Sequence, residues 1–437
     1  MRITGLTAEY NPIHNGHIYH LRQSRAMNKA DFIVAVMSGD FTQRGEPAVF
    51  DKWTRAAWAV RSGVDLVFEL PVVFAAGSAE QFADGAVRLL TSLGCVSDLS
   101  FGSECGDIGA LYQLAGFLDG EPEAYRQALH EQLDRGLSYP AAREAAVRTV
   151  IGDAAADLLR RPNDILGIEY LKALRRLQRE TGAEPVPREG RLHLLTERGR
   201  TVIPAAHCVP RRGAYHLREA SGADLVSTAA APVYAGGEAV RERLRQYDTA
   251  ALRAAVPPPV LEDLQHGVWD EMVGTEAIWP ALQSRLLLMP EEDMRRVDGV
   301  REGIEHRIRR VLRRCHSYAE LVESLQSRRF PRTTVQRMLL HLLLDIRPED
   351  VTPPSYARLL AAGARGRKLL RLIDRSGCSR IPVITNLPRQ RERLDGEDGK
   401  LPRLLELDVT AADLYNQAAG RDLYARSDFV VHPRILP

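Results

Sequence analysis

Apolar residues come in short runs near the start of the chain, and amphipathic stretches separate them. Ile3 to Ala8 is the first run and predicts a strand; Asn11-Pro12 breaks it, and His17 to Met27 predicts a helix. Asp31 to Met37 predicts a buried strand, followed by a polar loop from Ser38 to Pro47. Asp51 to Arg61 reads as helical with Asp51 as N-cap. Val64 to Leu70 is a third strand stopped by Pro71, Ser78 to Leu93 a helix ended by Gly94, and Leu99 to Phe101 a fourth strand ending at Gly102. Strands alternating with helices over short connections predict right-handed crossovers and a parallel sheet.

Residues 107–180 are mostly helical in pattern, with Pro162-Asn163-Asp164 as turn and N-cap before a helix from Ile165 to Leu177. Thr201 to Cys208 reads as a further strand, and 210–237 as a loop rich in Gly, Ala and Pro. Pro257-Pro258-Pro259 marks a boundary or linker bend, and from Val260 onward the pattern is helical. Val335 to Leu344 is strongly apolar between Arg-rich turns, and Ile381 to Thr385 is a short strand or core segment. The expected organisation is an α/β sheet domain over 1–240, with a helical insertion at about 107–180, and a mainly helical part over 241–437.

At 437 residues and 45% hydrophobic, the chain is long enough for two or three buried cores. A net charge of +2 looks neutral, but the charge is unevenly placed. Arg301 to Lys400 holds 22 basic and 12 acidic residues, against 33 basic and 40 acidic over 1–300. Only five bases are lysine (Lys29, Lys52, Lys172, Lys368 and Lys400); arginine's planar fork suits phosphate. Cys95, Cys105, Cys208, Cys315 and Cys378 show no CxxC spacing, which argues against a zinc site or a disulfide framework. With no leader pattern and no membrane-length apolar run, a reduced, cytoplasmic, soluble protein is expected.

The chemistry concentrates in Asn11-Pro12-Ile13-His14-Asn15-Gly16-His17, at the carboxyl end of the first predicted strand. In open parallel sheets ligands bind in that crevice, and a helix N-terminus there offers N–H groups and a positive dipole end to phosphate. Gly16 is expected to let a nucleotide approach the backbone. His14 and His17, three apart, would face one ligand and donate hydrogen bonds to phosphate oxygens as charge shifts. A plain helix cap is the competing account. A metal pair is the other, and it lacks a third ligand nearby, so no metal site is assigned.

The strand followed by His-x-Gly-His resembles the HIGH-type nucleotidyltransferase superfamily, which transfers adenylyl groups from ATP. A longer series resembles the tRNA(Met) cytidine acetate ligase family, in order and across nearly the whole chain. It comprises Gly5 to His20, Met37 to Pro47, Asp51 to Arg55, Phe101-Gly-Ser-Glu104, Pro162 to Leu171, Tyr215-His216 and Arg332 to His341. The resemblance implies a nucleotidyltransferase-like (Rossmann-like) parallel sheet. It also implies activation of acetate by ATP as acetyl-adenylate, followed by acetylation of the wobble cytidine of elongator tRNA(Met). Mg2+ would accompany ATP, and no membrane or protein partner is implied.

Site residues follow from the same resemblance. Thr7, Ala8, Glu9, Tyr10, Asn11, Pro12, Ile13, His14, Asn15, Gly16, His17, Ile18, Tyr19 and His20 would form the nucleotide loop, with His14 and His17 as the catalytic pair. Gly102 would approach the nucleotide with its backbone, and Asn163 would hydrogen-bond it unless it merely caps its helix. The family's arginine before a Gly-Ala-Gly-Tyr-His string corresponds to Arg211 or Arg212, with Arg211 favoured. Late in the domain such enzymes carry an Ile-Ser-Ser-Thr-x-Ile-Arg-like string. Here Val226 to Tyr234 keeps Ser227 and Thr228 but lacks the arginine, so a triphosphate contact is missing or supplied by Arg211 or Arg212.

In the polar loop, Asp40, Gln43 and Arg44 are candidates for the site, and Arg44 would neutralise phosphate charge. Lys52, spared among so few lysines, reads as a surface helix residue. The basic stretch supplies RNA-binding candidates Arg307, Arg310, Arg313, Arg314, Arg332 and Arg337, continues through Arg365 to Arg375, and offers Phe330 and Tyr356 for stacking bases. Two alternatives stay open: a cofactor-making adenylyltransferase, and a non-catalytic RNA-binding relic of the fold.

Overall fold

The computed structural model describes residues 1–187, 201–211, 236–394 and 401–437. β1 (Ile3–Ala8), α1 (Asn15–Met27), β2 (Phe32–Ser38), α2 (Lys52–Arg61) and β3 (Leu66–Leu70) build one side of a sheet. α3 (Ala79–Ser92) then carries the chain back to β4 (Asp98–Ser103), which pairs with the free edge of β1. Four helices between Ile108 and Leu158 and a fifth, α4 (Pro162–Thr181), precede β5 (Ala205–Pro210). The pairings β5–β4, β4–β1, β1–β2 and β2–β3 are all parallel, as expected for an α/β domain. Strand order reverses at β1, which opens a crevice between the carboxyl ends of β1 and β4.

Several local choices follow directly from the sequence. Asp51 caps α2 by accepting from the Thr54 N–H at 2.8 Å. Ser78 and Gln81 close a reciprocal capping box on α3. Other expectations shift. α4 begins at Pro162 with Arg161 as N-cap, because proline at the first helical position sacrifices no hydrogen bond. Asn163 and Asp164 therefore sit inside the first turn. Pro257 to Pro259 do not break the chain into a linker; they open the helix Pro258–Gln265.

The helical pattern after residue 260 holds through α5 (Ile304–Leu312) and α6 (Arg332–Leu344) and then gives way. β6 (Ala357–Ala362) runs antiparallel to β3, and α7 (Ala364–Ser376) follows it. β7 (Val383–Ile384) and β8 (Arg434–Ile435) pair parallel to β6. The sheet thus runs across the boundary expected at residue 240. All six residues of β6 are buried, so it shows none of the alternation that marks a half-exposed strand. Among the described residues no helix is long and apolar enough to cross a membrane.

Candidate nucleotide site

β1 ends at Ala8 and α1 begins at Asn15, so residues 9–14 must turn the chain over the crevice. Arg55, fully buried on α2, fixes that turn by donating to the carbonyls of Glu9, Ser38 and Gly39. The Asn11 side-chain oxygen accepts from Val49 N–H at 2.8 Å, and Arg241 donates to the Asn11 carbonyl at 3.1 Å. Both helix-opening histidines serve as caps. His14 Nδ1 accepts from Gly16 N–H at 3.1 Å, and His17 Nδ1 accepts from the His14 N–H at 3.2 Å. The rings stack with centroids 3.8 Å apart, and Tyr10 meets the His17 ring edge-on at 5.1 Å.

Capping, posed in the sequence as the rival of ligand binding, occupies only Nδ1 of each ring and leaves Nε2 uncommitted. A neutral imidazole whose Nδ1 accepts must carry its proton on Nε2. Burial, then the positive charge of Arg211 and Arg241, pushes His14 down to about 3. His17 lies well below its ordinary value, first through burial and then through His14 and Arg211. His20 is lowered to about 4 by burial and Arg211. Both caps are thus neutral near pH 7 and keep an Nε2–H donor. Gly16 matters for a different reason than expected: a Cβ there would stand 2.9 Å from the His14 ring. Its bareness admits the capping imidazole.

The cavity above this turn measures about 560 Å³. On the β4–β5 side it is lined by Phe101, Gly102, Asn163, Leu166, Tyr170 and Arg211. Glu104 and Asp164 tie this wall together: Glu104 accepts from the Asn163 side chain at 2.5 Å and from Asp164 N–H at 3.0 Å, while Asp164 accepts from Ser103 Oγ at 2.5 Å and Glu104 N–H at 2.9 Å. Tyr170 pairs with Thr7. The lining also includes Gln43, Arg44, Ala79, Phe82, Thr333 and Arg337. Glu9 accepts from Gln43 N–H at 2.8 Å, and Glu238 draws together Arg44 and Arg241.

Of the expected nucleotide loop, Thr7, Ala8, Glu9, Tyr10, Asn11, Pro12, His14, Gly16, His17, Tyr19 and His20 line this cavity. Ile13 is instead core, Ile18 packs against that core, and the Asn15 side chain donates to the Ala254 carbonyl at 2.7 Å. Gly102, Asn163, Gln43, Arg44 and Arg211 also reach the cavity. Arg212, Tyr215, His216 and the Val226–Tyr234 string lie outside the described residues. Asp40 does not face the cavity; it is buried beneath the loop, accepting from Lys52 N–H at 2.7 Å. Arg241 and Tyr170 were missed: each reaches the site from a distant helix, and nothing local announces it.

Lys52 is no surface residue. Only 1% exposed, its Nζ lies 2.7 Å from Glu69, 2.8 Å from Asp428 and 3.8 Å from Asp40, because β6 and the chain end close over α2. The RNA candidates also divide. Arg310, Arg313, Arg314 and Arg332 are exposed or partly so, and Arg307 is half-buried. Arg337 instead lines the cavity. Arg365 pairs with Asp65 at 3.1 Å. Phe330 and Tyr356 are buried and offer no ring to a base; Tyr356 donates to Asp408 at 2.5 Å. Among the described residues no group of three His, Cys, Asp or Glu gathers to hold a metal.

Comparison with known proteins places these features. Residues 1–427 match the family described as HIGH Nucleotidyl Transferase. The tRNA(Met) cytidine acetate ligase of Acetivibrio thermocellus is 36% identical over 425 residues, 95% of this chain and 94% of that protein. The protein of the same name from Syntrophotalea carbinolica is 37% identical over 431 residues, with 95% and 94% covered. The crystal structure of Thermotoga maritima TmcAL bound with alpha-thio ATP is similar over 100% of both chains, with a TM-score of 0.83 and 31% identity.

Proposed function

We propose an ATP-dependent ligase function, from the premise that this chain belongs to the tRNA(Met) cytidine acetate ligase family of HIGH nucleotidyl transferases. A carboxylate is inert toward an amine, so acetate must first be activated. Its oxygen attacks the α-phosphorus of ATP; the new O–P bond forms as the bond to the bridging oxygen breaks, and pyrophosphate leaves. The N4 amine of the wobble cytidine in elongator tRNA(Met) then attacks the acetyl carbonyl, gives up a proton and displaces AMP, leaving N4-acetylcytidine.

The stacked His14–His17 pair carries this reading. Two neutral imidazoles cap α1 through Nδ1 and keep Nε2–H donors, on a helix start whose dipole favours phosphate. When the triphosphate arrives, its oxygens accept from these Nε2–H donors while each Nδ1 stays committed to the cap, so the rings act as neutral donors. The donors then strengthen as negative charge moves onto the leaving pyrophosphate, which is where transition-state stabilisation arises. Arg211, beside all three histidines, supplies fixed positive charge. Gly102 and Asn163 place the nucleoside on the β4–β5 side. Mg2+ would enter with the triphosphate.

Arg310, Arg313, Arg314 and Arg332, with Arg307, are assigned to tRNA phosphates, since neutralising them supplies affinity without sequence reading. The target amine must leave its stack to reach the cavity, and a tRNA substrate places the reaction in the cytoplasm. The test is incubation with ATP, labelled acetate and total tRNA. Label in tRNA is expected. ATP consumption with phosphopantetheine or a mononucleotide would instead mark a cofactor-making adenylyltransferase, and no turnover a relic.

A further inference from the structure

Acetate and ATP must share one cavity. Its lining includes the Gly102 backbone and the Asn163 amide, and also Gln43, Arg44, Ala79, Phe82, Thr333 and Arg337. The place of Arg337 is fixed from three directions. Gly45, at φ +74°, packs so closely that a Cβ would stand 2.5 Å from the Arg337 backbone nitrogen. Gln336 donates to Glu46 at 2.5 Å, clamping α6 onto the polar loop. One turn further on, the His341 Nε2 lies 3.1 Å from the Ala76 carbonyl, just before α3. Arg337 therefore stands between the polar loop and the opening of α3.

Its guanidinium is half-buried at the cavity wall, and among the described residues no hydrogen bond or ion pair engages it. Burial lowers its pKa; Asp298 opposes that from a distance, while its carboxylate pairs with His341 at 3.2 Å. Arg55 and Arg241, by contrast, are held by backbone carbonyls. A planar, always-charged fork left open inside an anion-binding cavity matches a carboxylate.

We infer that Arg337 receives the carboxylate of acetate, with the methyl group turned toward Ala79 and Phe82. This rests on the ligase reading and deepens it. The fork would hold one edge of the carboxylate and leave lone pairs free for the α-phosphorus. With the phosphates at His14 and His17, acetate held by Arg337 would share the cavity with ATP and meet its α-phosphorus there. The helices after residue 240 would then complete the chemistry of the sheet as well as meet RNA.

Acetate-dependent ATP–pyrophosphate exchange tests it. Arg337→Gln should raise the KM for acetate about 10- to 100-fold, the usual loss for a charge-assisted pair. Affinities for alpha-thio ATP and for tRNA should stay within about twofold, which also reports an intact fold. Arg337→Lys should recover part of the loss, because it keeps the charge without the fork. Weaker ATP binding with an unchanged acetate KM would make Arg337 a triphosphate contact and overturn the inference. Weaker tRNA binding with an unchanged acetate KM would do the same in favour of RNA. Absence of acetate-dependent exchange in the unaltered protein would instead sink the ligase reading itself.

Discussion

Two buried polar clusters flank the loop from Ser38 to Pro47, and they handle burial in opposite ways. In the cavity, His14 and His17 shed their charge, pushed down by burial and by Arg211. Each commits one nitrogen to the helix cap and holds the other free. Behind the loop, Lys52 and Arg358 keep their charge because carboxylates surround them. Burial would push Asp428 up, but Arg358 and Lys52 outweigh it and hold the carboxyl low. Burial of a polar group therefore does not by itself mark a functional site. The two clusters differ instead in uncommitted hydrogen-bonding capacity facing a cavity, which the histidines and Arg337 have and Lys52 does not.

Removing one partner should break the sealed cluster most severely. Lys52→Met leaves Glu69 and Asp428 buried with one cation between them. Loss of a buried partner costs about 3–5 kcal/mol, so urea unfolding should show a drop of that size. A drop below about 1 kcal/mol would mean the cluster is wetter than its burial indicates. The cavity should respond the other way. His17→Ala removes one donor aimed at developing charge, an effect of about 10²- to 10³-fold on rate, while loss of the cap costs only about 1 kcal/mol of stability. Acetate-dependent pyrophosphate release should collapse with tRNA binding retained. His14→Asn sharpens the point, since Asn keeps a capping oxygen for Gly16 N–H but no imidazole; equal activity would reduce the pair to caps.

What was readable in advance tracks how local each feature is. His14, Gly16 and His17 act within one helical turn, so their spacing announced them. The parallel strands β1 to β4 were readable because each is a short apolar run bounded by a helix signal. Arg337 was read as an RNA contact but lines the cavity, and that place exists only once α6 has packed against Gly45 and Ala76. Lys52 was misread for a related reason. Its burial depends on β6 and Asp428, and six consecutive buried residues in β6 give no period to detect.

Asp40 belongs to the sealed cluster beneath the loop, and pH should report on that cluster there. Burial raises its carboxyl to about 7; Lys52 opposes this, but Lys52 stands 3.8 Å away and closer to Glu69 and Asp428. In the unfolded chain Asp40 loses its proton near the ordinary carboxylate value of about 4. Between about pH 4 and pH 7 the folded state then binds more protons, so this group's contribution to stability is full at the acid end and lost as pH rises toward 7. Asp40→Asn keeps an acceptor for Lys52 N–H and should remove that slope, gaining on the order of 4 kcal/mol at pH 8 relative to pH 4. An unchanged slope would place the titration on Asp408, which burial and Glu69 also raise to about 7.

The smallest effect belongs to the surface, where neither strategy of burial applies. α5 buries Ile304, Ile308 and Leu312, leaving Arg310 outward and Arg307 half-covered with one weak hydrogen bond, 3.4 Å to the Gln326 carbonyl. Such charges cost little to keep and contribute little to folding, so reversing Arg307 and Arg310 to Glu should leave unfolding within about 0.5 kcal/mol. Binding of tRNA should weaken, and the slope of log affinity against log salt should flatten by about one for each phosphate no longer neutralised. Acetate-dependent exchange without tRNA should be untouched, because it needs only the cavity. If the salt slope does not move, tRNA approaches over another face, and the exposed arginines of α7 (Arg367, Arg371 and Arg375) become the surface to reverse next.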